Sequence, residues 1–352
     1  MDKEGYDHDP KALQCHNRLN RSPDRCGACQ RPTRPGGRRR PNAGVEPDQI
    51  EYFIYVLDID EINGQDQNFT VNVSLALRWD DPRLAHAGPA AIKLPLRDVW
   101  SPNIILANRQ WNLRLSLPGI VEVEPNGHVT YRQQYVGPLS QKMDLRNFPL
   151  DTQDFTIHFI ATDVAPDELE FVPWTVEHVG LVGGGMAEAE DLSLPDWTIL
   201  NYETMPKGLT VADTHTVPGF AFTFVAKRHL AYYFWQAIVP LILIVMMSWV
   251  PFWVPPSQAE LQFGIASSAV ITLIAYRFTL TAMLPKLPYL TRLDYISTVG
   301  TILVFMAFLQ VLITSLLGTG HKAPVAIKID KTCRYLFPLV FAGIVYLALF
   351  WM

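Results

Sequence analysis

The chain has 352 residues, 49% of them hydrophobic and 18% charged, with a formal net charge of −5. That length accommodates two domains, and the acidic balance excludes a general nucleic-acid binder. Of four cysteines, Cys15, Cys26 and Cys29 lie in a polar N-terminal stretch and Cys333 opens the last apolar segment, so no disulfide framework is implied.

Residues 1–47 are polar, rich in Pro, Gly and Arg, and lack apolar periodicity, which predicts a disordered tail. Arg38-Arg39-Arg40 reads as a solvated basic run. Cys26-x-x-Cys29 with Cys15 and His16 offers donors of the kind zinc takes, but the spacing is irregular and no apolar support surrounds it. No metal or other cofactor is assigned. The tail also lacks the apolar core of a secretion signal.

The next domain, 48–229, reads as all-β. Glu51–Ile62 and Asn68–Trp79 are rich in Tyr, Phe, Ile, Val and Thr. In the second run Phe69, Val71, Val73, Leu75 and Leu77 alternate with mostly polar residues, the period of a half-buried strand. Val121–Glu124 and His128–Tyr135 flank Pro125-Asn126-Gly127, a hairpin signal. Phe155–Ala161, Trp197–Glu203 and Phe220–Ala226 are further predicted strands. Many short strands with turns between them indicate a sandwich. Gly183-Gly184-Gly185 has no helix pattern after it and reads as a flexible loop, not a phosphate cradle.

The remainder, 230–352, holds four apolar segments at about 232–254, 258–282, 293–317 and 332–352, each of membrane-span length. Pro240 is expected to kink the first without forbidding it. Tyr232, Tyr233, Trp235, Trp249 and Trp253 sit at its ends, as interfacial anchors do. The link between the third and fourth segments carries Lys322, Lys328, Lys331 and Arg334 against Asp330 alone, which places it in the cytoplasm. The sandwich and the C-terminus then both lie outside. The second segment is too polar for a lipid-facing helix. At 3.6 residues per turn, Glu260, Gly264, Ser268, Ile271, Ala275 and Phe278 fall on one stripe, starting with a carboxylate and ending apolar. A pore helix needs such a stripe, although small residues also serve close helix packing.

A sandwich followed by four spans, the second polar, resembles the pentameric ligand-gated ion channels, the Cys-loop receptor superfamily. Met143–Gln153, with Phe148-Pro149-x-Asp151 at its centre, resembles the family's signature loop. Arg78-Trp79-x-Asp81, Trp100-x-Pro102-Asn103, the Arg228–Tyr233 entry to the first span and Leu284-Pro285-Lys286-Leu287-Pro288-Tyr289 resemble further landmarks. Gln141 and Phe155 stand where cysteines bracket the loop in animal receptors, which resembles the bacterial branch, as does the short link before the last span. The resemblance implies an extracellular immunoglobulin-like sandwich, a four-helix transmembrane bundle and a homopentamer in the cell membrane, with lipid and monovalent cations as partners.

It further implies roles for single residues. Glu260 becomes a ring of carboxylates that favours cations, Gly264 and Ser268 the narrow polar section, and Ile271, Ala275 and Phe278 an apolar gate. Arg277 lies about 100° off that face and is expected to turn between subunits. Sandwich-to-pore coupling falls to Asp60, Glu61, Phe148, Pro149, Asp151, Arg228, Pro285, Pro288 and Tyr289, with Asp151 and Arg228 as an ion pair and Asp60 or Glu61 as a further acid. The agonist site lies between subunits beneath residues 205–218. Tyr202 matches a binding aromatic there, and Asn103, Arg109, Trp111, Tyr131, Phe159 and Trp79 are further candidates. Sandwich aromatics also serve as core, and for Trp79 that alternative stays open. The stimulus is protons or a small molecule. Histidines suit proton sensing, but Leu273 stands where the proton-gated relative has a pore-helix histidine. The alternative is a membrane-tethered sensor that passes no ions. No G-x-S-x-G, H-E-x-x-H or Walker sequence supports an enzyme.

Overall fold

A computed structural model describes residues 39–350, except 179, 189, 212–214, 282–286 and 318–322. Among these, β1 (Asp48–Asn63), β2 (Asn68–Asp80), β3 (Ile92–Pro95), β4 (Ile104–Leu106), β5 (Arg114–Leu115), β6 (Ile120–Val123) and β7 (His128–Ser140) come first. There follow β8 (Thr152–Ala161), β9 (Leu169–Pro173), β10 (Thr175–Val176), β11 (Leu181–Val182), β12 (Gly184–Met186), β13 (Trp197–Pro206), β14 (Leu209–Val211), β15 (His215–Val217) and β16 (Gly219–Arg228). One sheet runs β12-β1-β2-β7-β6-β3, with β5 on β7 and β9 on β1; the other runs β13-β16-β8-β4.

Two-residue periodicity explains the core between them. On β2, Phe69, Val71, Val73, Leu75, Leu77 and Trp79 all point inward and are at most 2% exposed. In the facing sheet Phe155 pairs with Phe224 and Phe159 with Phe220. Their rings stack at 5.0 and 5.3 Å. Phe69 from the first sheet meets Phe155 and Phe224 edge-on at 5.2 and 5.8 Å, so aromatic contacts bridge the two layers.

The glycine run at 183–185 departs from its expected loop. Gly184 begins β12 and pairs in parallel with Ile54 of β1. A Cβ at Gly184 would stand 2.5 Å from the Ile54 carbonyl oxygen, so the run permits close backbone approach. The hairpin at Asn126-Gly127 forms as expected, with Gly127 at φ +90°. Residues 41–46 form a turn whose composition gives no hint of order. Arg40 holds it, donating from Nη1 to Glu46 O at 2.7 Å and pairing with buried Asp48 at 3.1 Å.

The sandwich leads directly into helices. α1 (Leu230–Tyr233) passes through a π-helical turn, Phe234–Ile238, into α2 (Val239–Trp249). The turn accommodates Pro240, which sits in the first turn of α2, where the missing N–H is least felt. α3 (Ala259–Thr281), α4 (Arg292–Leu317) and α5 (Ala323–Phe350) follow. Leu230–Trp253, α3 and α4 are long and apolar enough to cross a membrane. α5 packs on α4 and on the end of the first span. Replacing Phe155 by Ala is expected to destabilise the sandwich by about 3–5 kcal/mol, measurable by denaturant titration of tryptophan fluorescence.

Candidate functional site

Where β16 hands over to α1, a charged pair is wholly enclosed. Arg228 Nε donates to Asp151 Oδ1 at 2.8 Å and Nη2 to Oδ2 at 3.1 Å, with side chains 3% and 1% exposed. A two-pronged guanidinium–carboxylate bond is the geometry that best repays burial. The third nitrogen, Nη1, donates to the Tyr233 hydroxyl at 3.1 Å. The guanidinium lies 4.1 Å from the Trp197 ring centre and 5.0 Å from that of Phe148. Phe148 in turn meets Tyr233 edge-on at 4.8 Å, and its bond to Pro149 is cis. One arginine thus joins the 143–153 loop, the last strand and the first helix.

Gln153 braces that loop from within. Its Nε2 donates to Asp144 O at 2.6 Å and to Asp151 Oδ2 at 2.8 Å, while its Oε1 accepts from Asp144 N at 3.1 Å. On the far side Leu145 N donates to the Tyr289 hydroxyl at 3.2 Å, and the Arg146 guanidinium lies 4.9 Å from the Tyr289 ring centre. Arg292 N donates to Arg146 O at 3.0 Å. The loop is therefore gripped by the start of α4 as well. Pro288 lies between these anchors and the segment 282–286; Pro285 falls outside the described residues.

The two expected acids divide. Glu61 borders a cleft of 180 Å³ with Arg228 and Tyr233 but makes no ion pair there among the described residues. Asp60 turns instead to Asp58. Two register breaks in β1, at Val56/Asp58 and Ile59/Glu61, rotate the side chains away from simple alternation. Burial opposes ionisation of Asp58, but bonds from Ser193 N and Oγ at 2.7 and 2.9 Å outweigh it and hold the carboxyl below its ordinary range. Burial and the Asp58 charge push Asp60 up.

α3 has two faces. Gln262, Ala266, Ala269, Leu273, Tyr276 and Leu280 are buried against the other helices. Glu260, Gly264, Ser268, Ile271, Ala275 and Phe278 are all exposed, Ile271 at 68% and Phe278 at 72%. Ser268 Oγ donates back to Gly264 O at 2.9 Å, leaving its oxygen lone pairs free. Thr272, exposed beside the stripe, does the same to Ser268 O. Arg277 turns toward α4, its Nη1 3.4 Å from Ser297 Oγ and 3.5 Å from Thr298 Oγ1.

The residues expected to meet a ligand do not form one group within the chain. Asn103, Arg109 and Tyr131 line a cavity of 450 Å³ with Ser101, Asn112 and Tyr135. Tyr202, stacked on Phe222 at 5.4 Å, borders a separate cleft of 490 Å³ with Glu188 and Leu192. Trp111 is 70% exposed and lines neither. Trp79 and Phe159 are corrected to core: both are at most 2% exposed, packed on Trp100 and on Phe220 and Tyr135. Beneath the 205–218 segment, the His158 ring nitrogen Nε2 bonds Lys207 O at 2.9 Å.

A model of the neurotransmitter-gated ion-channel ligand binding domain matches residues 37–223, more than half of the chain. The chain belongs to the neurotransmitter-gated ion channel family. This is the pentameric, Cys-loop superfamily, whose members are channels and not enzymes, and the sandwich is its extracellular domain on a multi-pass membrane protein. The chain is also similar to the gamma-aminobutyric acid receptor subunit beta of Lymnaea stagnalis, 26% identical over 294 residues, 78% of this chain and 57% of that protein. It thus spans a little over half the length of that relative. Within this channel-family sandwich, Gln153, Trp197 and Tyr233 complete the charged junction, yet only Tyr233 carried a sequence signal, as an aromatic at a span end.

Removing either partner of the buried pair, by Arg228→Ala or Asp151→Asn, is expected to cost about 3–5 kcal/mol. Arg228→Lys is expected to restore only part of it, since an ammonium cannot make the two-pronged bond. Thermal unfolding of the purified protein checks both. Burial pushes the His158 imidazole below its ordinary 6.5, against the bond to Lys207 O that favours the charged form. The unfolded chain therefore takes up the proton first as pH falls. The stability this ring contributes is whole above 6.5 and declines below it. His158→Gln should flatten that part of a stability–pH profile.

Proposed function

We propose that five copies of this chain form a cation-selective channel opened by an extracellular stimulus, a small molecule or protons. The two-faced character of α3 carries the reading. Its buried face is filled by neighbouring helices, whereas the Glu260-to-Phe278 stripe is exposed among the described residues and suits a central aqueous path. α5 would be the fourth span, giving a four-helix bundle per subunit with the C-terminus outside, and bilayer lipid would cover its outer face.

In this assembly Glu260 forms a carboxylate ring at the cytoplasmic mouth, which concentrates cations and repels anions. Ile271, Ala275 and Phe278 form the apolar gate. The turn of Arg277 toward the α4 hydroxyls supports keeping its charge out of the path. Tyr202 of one subunit and the Asn103–Arg109–Tyr131 cavity of the next would share the agonist site. Movement there would reach the gate through Asp151–Arg228 and the Tyr289 contacts, with Asp60, Glu61, Phe148, Pro149, Pro285 and Pro288 around them. Gln141 and Phe155 at the bracketing positions support a branch without the loop disulfide.

Current across planar bilayers holding the purified protein, under a salt gradient, tests this. Reversal near the cation equilibrium potential is expected, with Glu260→Gln lowering cation preference about tenfold. Phe278→Ala should raise current in the absence of stimulus. Reversal near the chloride potential would overturn the cation assignment and shift attention to Arg277.

A further inference from the structure

Two residues beyond Glu260, on the opposite face of α3, the interior of the helices is unexpectedly polar. Gln262 is fully buried, Thr314 of α4 likewise, and Asp330 of α5 is 2% exposed. Gln310 of α4 donates from Nε2 to Asp330 Oδ1 at 2.5 Å. The Gln262 and Thr314 side chains also lie against that carboxylate. Three helices therefore contribute oxygen-bearing groups to one enclosed place.

The amide orientations are decided by their partners. Gln262 Nε2 donates to Pro251 O at 3.2 Å and Val254 O at 2.7 Å, both of which can only accept. Gln310 Nε2 meets a carboxylate oxygen. With Asp330 ionised, each amide nitrogen is committed, and its oxygen is the free end. The Thr314 hydroxyl, though beside the carboxylate, donates to Gln310 O at 3.1 Å and Val311 O at 3.2 Å. Gln262 Oε1, Gln310 Oε1 and Asp330 Oδ2 are buried with no hydrogen-bond partner in bonding geometry among the described residues.

The charge is equally unmatched. Among the described residues Asp330 makes no ion pair within 4 Å. Arg334, one turn on, attracts it only from a distance: its Nε donates to Phe252 O at 2.7 Å and its plane lies 4.9 Å from the Trp253 ring centre. Lys328 and Lys331 point outward and are exposed. Glu260, on the other face of α3, adds no positive charge.

Three acceptors and one negative charge restrict the occupant. A water can donate to only two of the three oxygens and leaves the charge in place. A proton on Asp330 Oδ2 neutralises the charge but can serve only one amide oxygen, leaving the other unsatisfied. A cation held among them would satisfy all three oxygens and balance the carboxylate. With one carboxylate and neutral oxygens, a singly charged hard ion matches the set. We propose that Gln262, Gln310 and Asp330 form an internal binding site for a monovalent cation, sodium or potassium, that ties the first turn of α3 to α4 and α5. The site lies behind, not in, the stripe of exposed residues.

Thermal unfolding of the full chain in detergent tests the site, comparing sodium, potassium and choline chloride at equal ionic strength and pH. The midpoint is expected to rise by about 3 °C in sodium or potassium over choline, with saturation. Asp330→Asn should erase that difference, and Gln310→Met, which keeps the carboxylate, should move saturation to higher salt. Equal midpoints of the wild-type protein in the three salts would overturn the proposal whether or not the variants fold. A midpoint that follows pH but not the cation would overturn it in favour of a proton.

Discussion

The enclosed pair of Arg228 and Asp151 is the constraint on which the junction depends. Desolvating two opposite charges costs several kcal/mol per ion, recovered only when the geometry is good and the remaining donors are used. Here the two-pronged bond, the Tyr233 hydroxyl, Gln153 and the Trp197 ring meet those conditions together. Any displacement of the 143–153 loop relative to the first helix must break several contacts at once. The contacts of the junction therefore hold or break together.

A second constraint is the division of labour on α3. Its packing face runs from Gln262 to Leu280 and includes Tyr276, whose hydroxyl donates to Ala237 O at 2.7 Å and so anchors the helix to the π turn of the first span. The hydroxyls of the exposed face bond back to their own helix. The helix is thus held firmly on one side and self-sufficient in its hydrogen bonds on the other.

Much of this was legible in the residues. Alternation in Asn68–Trp79 and Phe220–Ala226 marked strands, since period two has no other common origin, and the stripe on α3 followed from helical geometry alone. Other features depend on distances that a linear pattern does not carry. Alternation says that Trp79 and Phe159 face one side of a sheet, not that this side is the core. The bulges that turn Asp60 toward Asp58 have no marker in Leu57–Asn63. Gly183-Gly184-Gly185 was ambiguous because a tight strand pairing and a loose loop both favour glycine. Gln153 and Gln262 carry no signal as single polar residues, and their importance comes only from what encloses them.

The Gln153 brace has one more implication. Loops of this kind in animal receptors are closed by a covalent sulfur bridge, whose integrity follows the redox poise of its compartment. Here the same closure is made by two amide contacts to Asp144 and by the aromatic fill of Phe155. Neither element responds to thiols. The junction should hold its shape equally in oxidising and reducing surroundings.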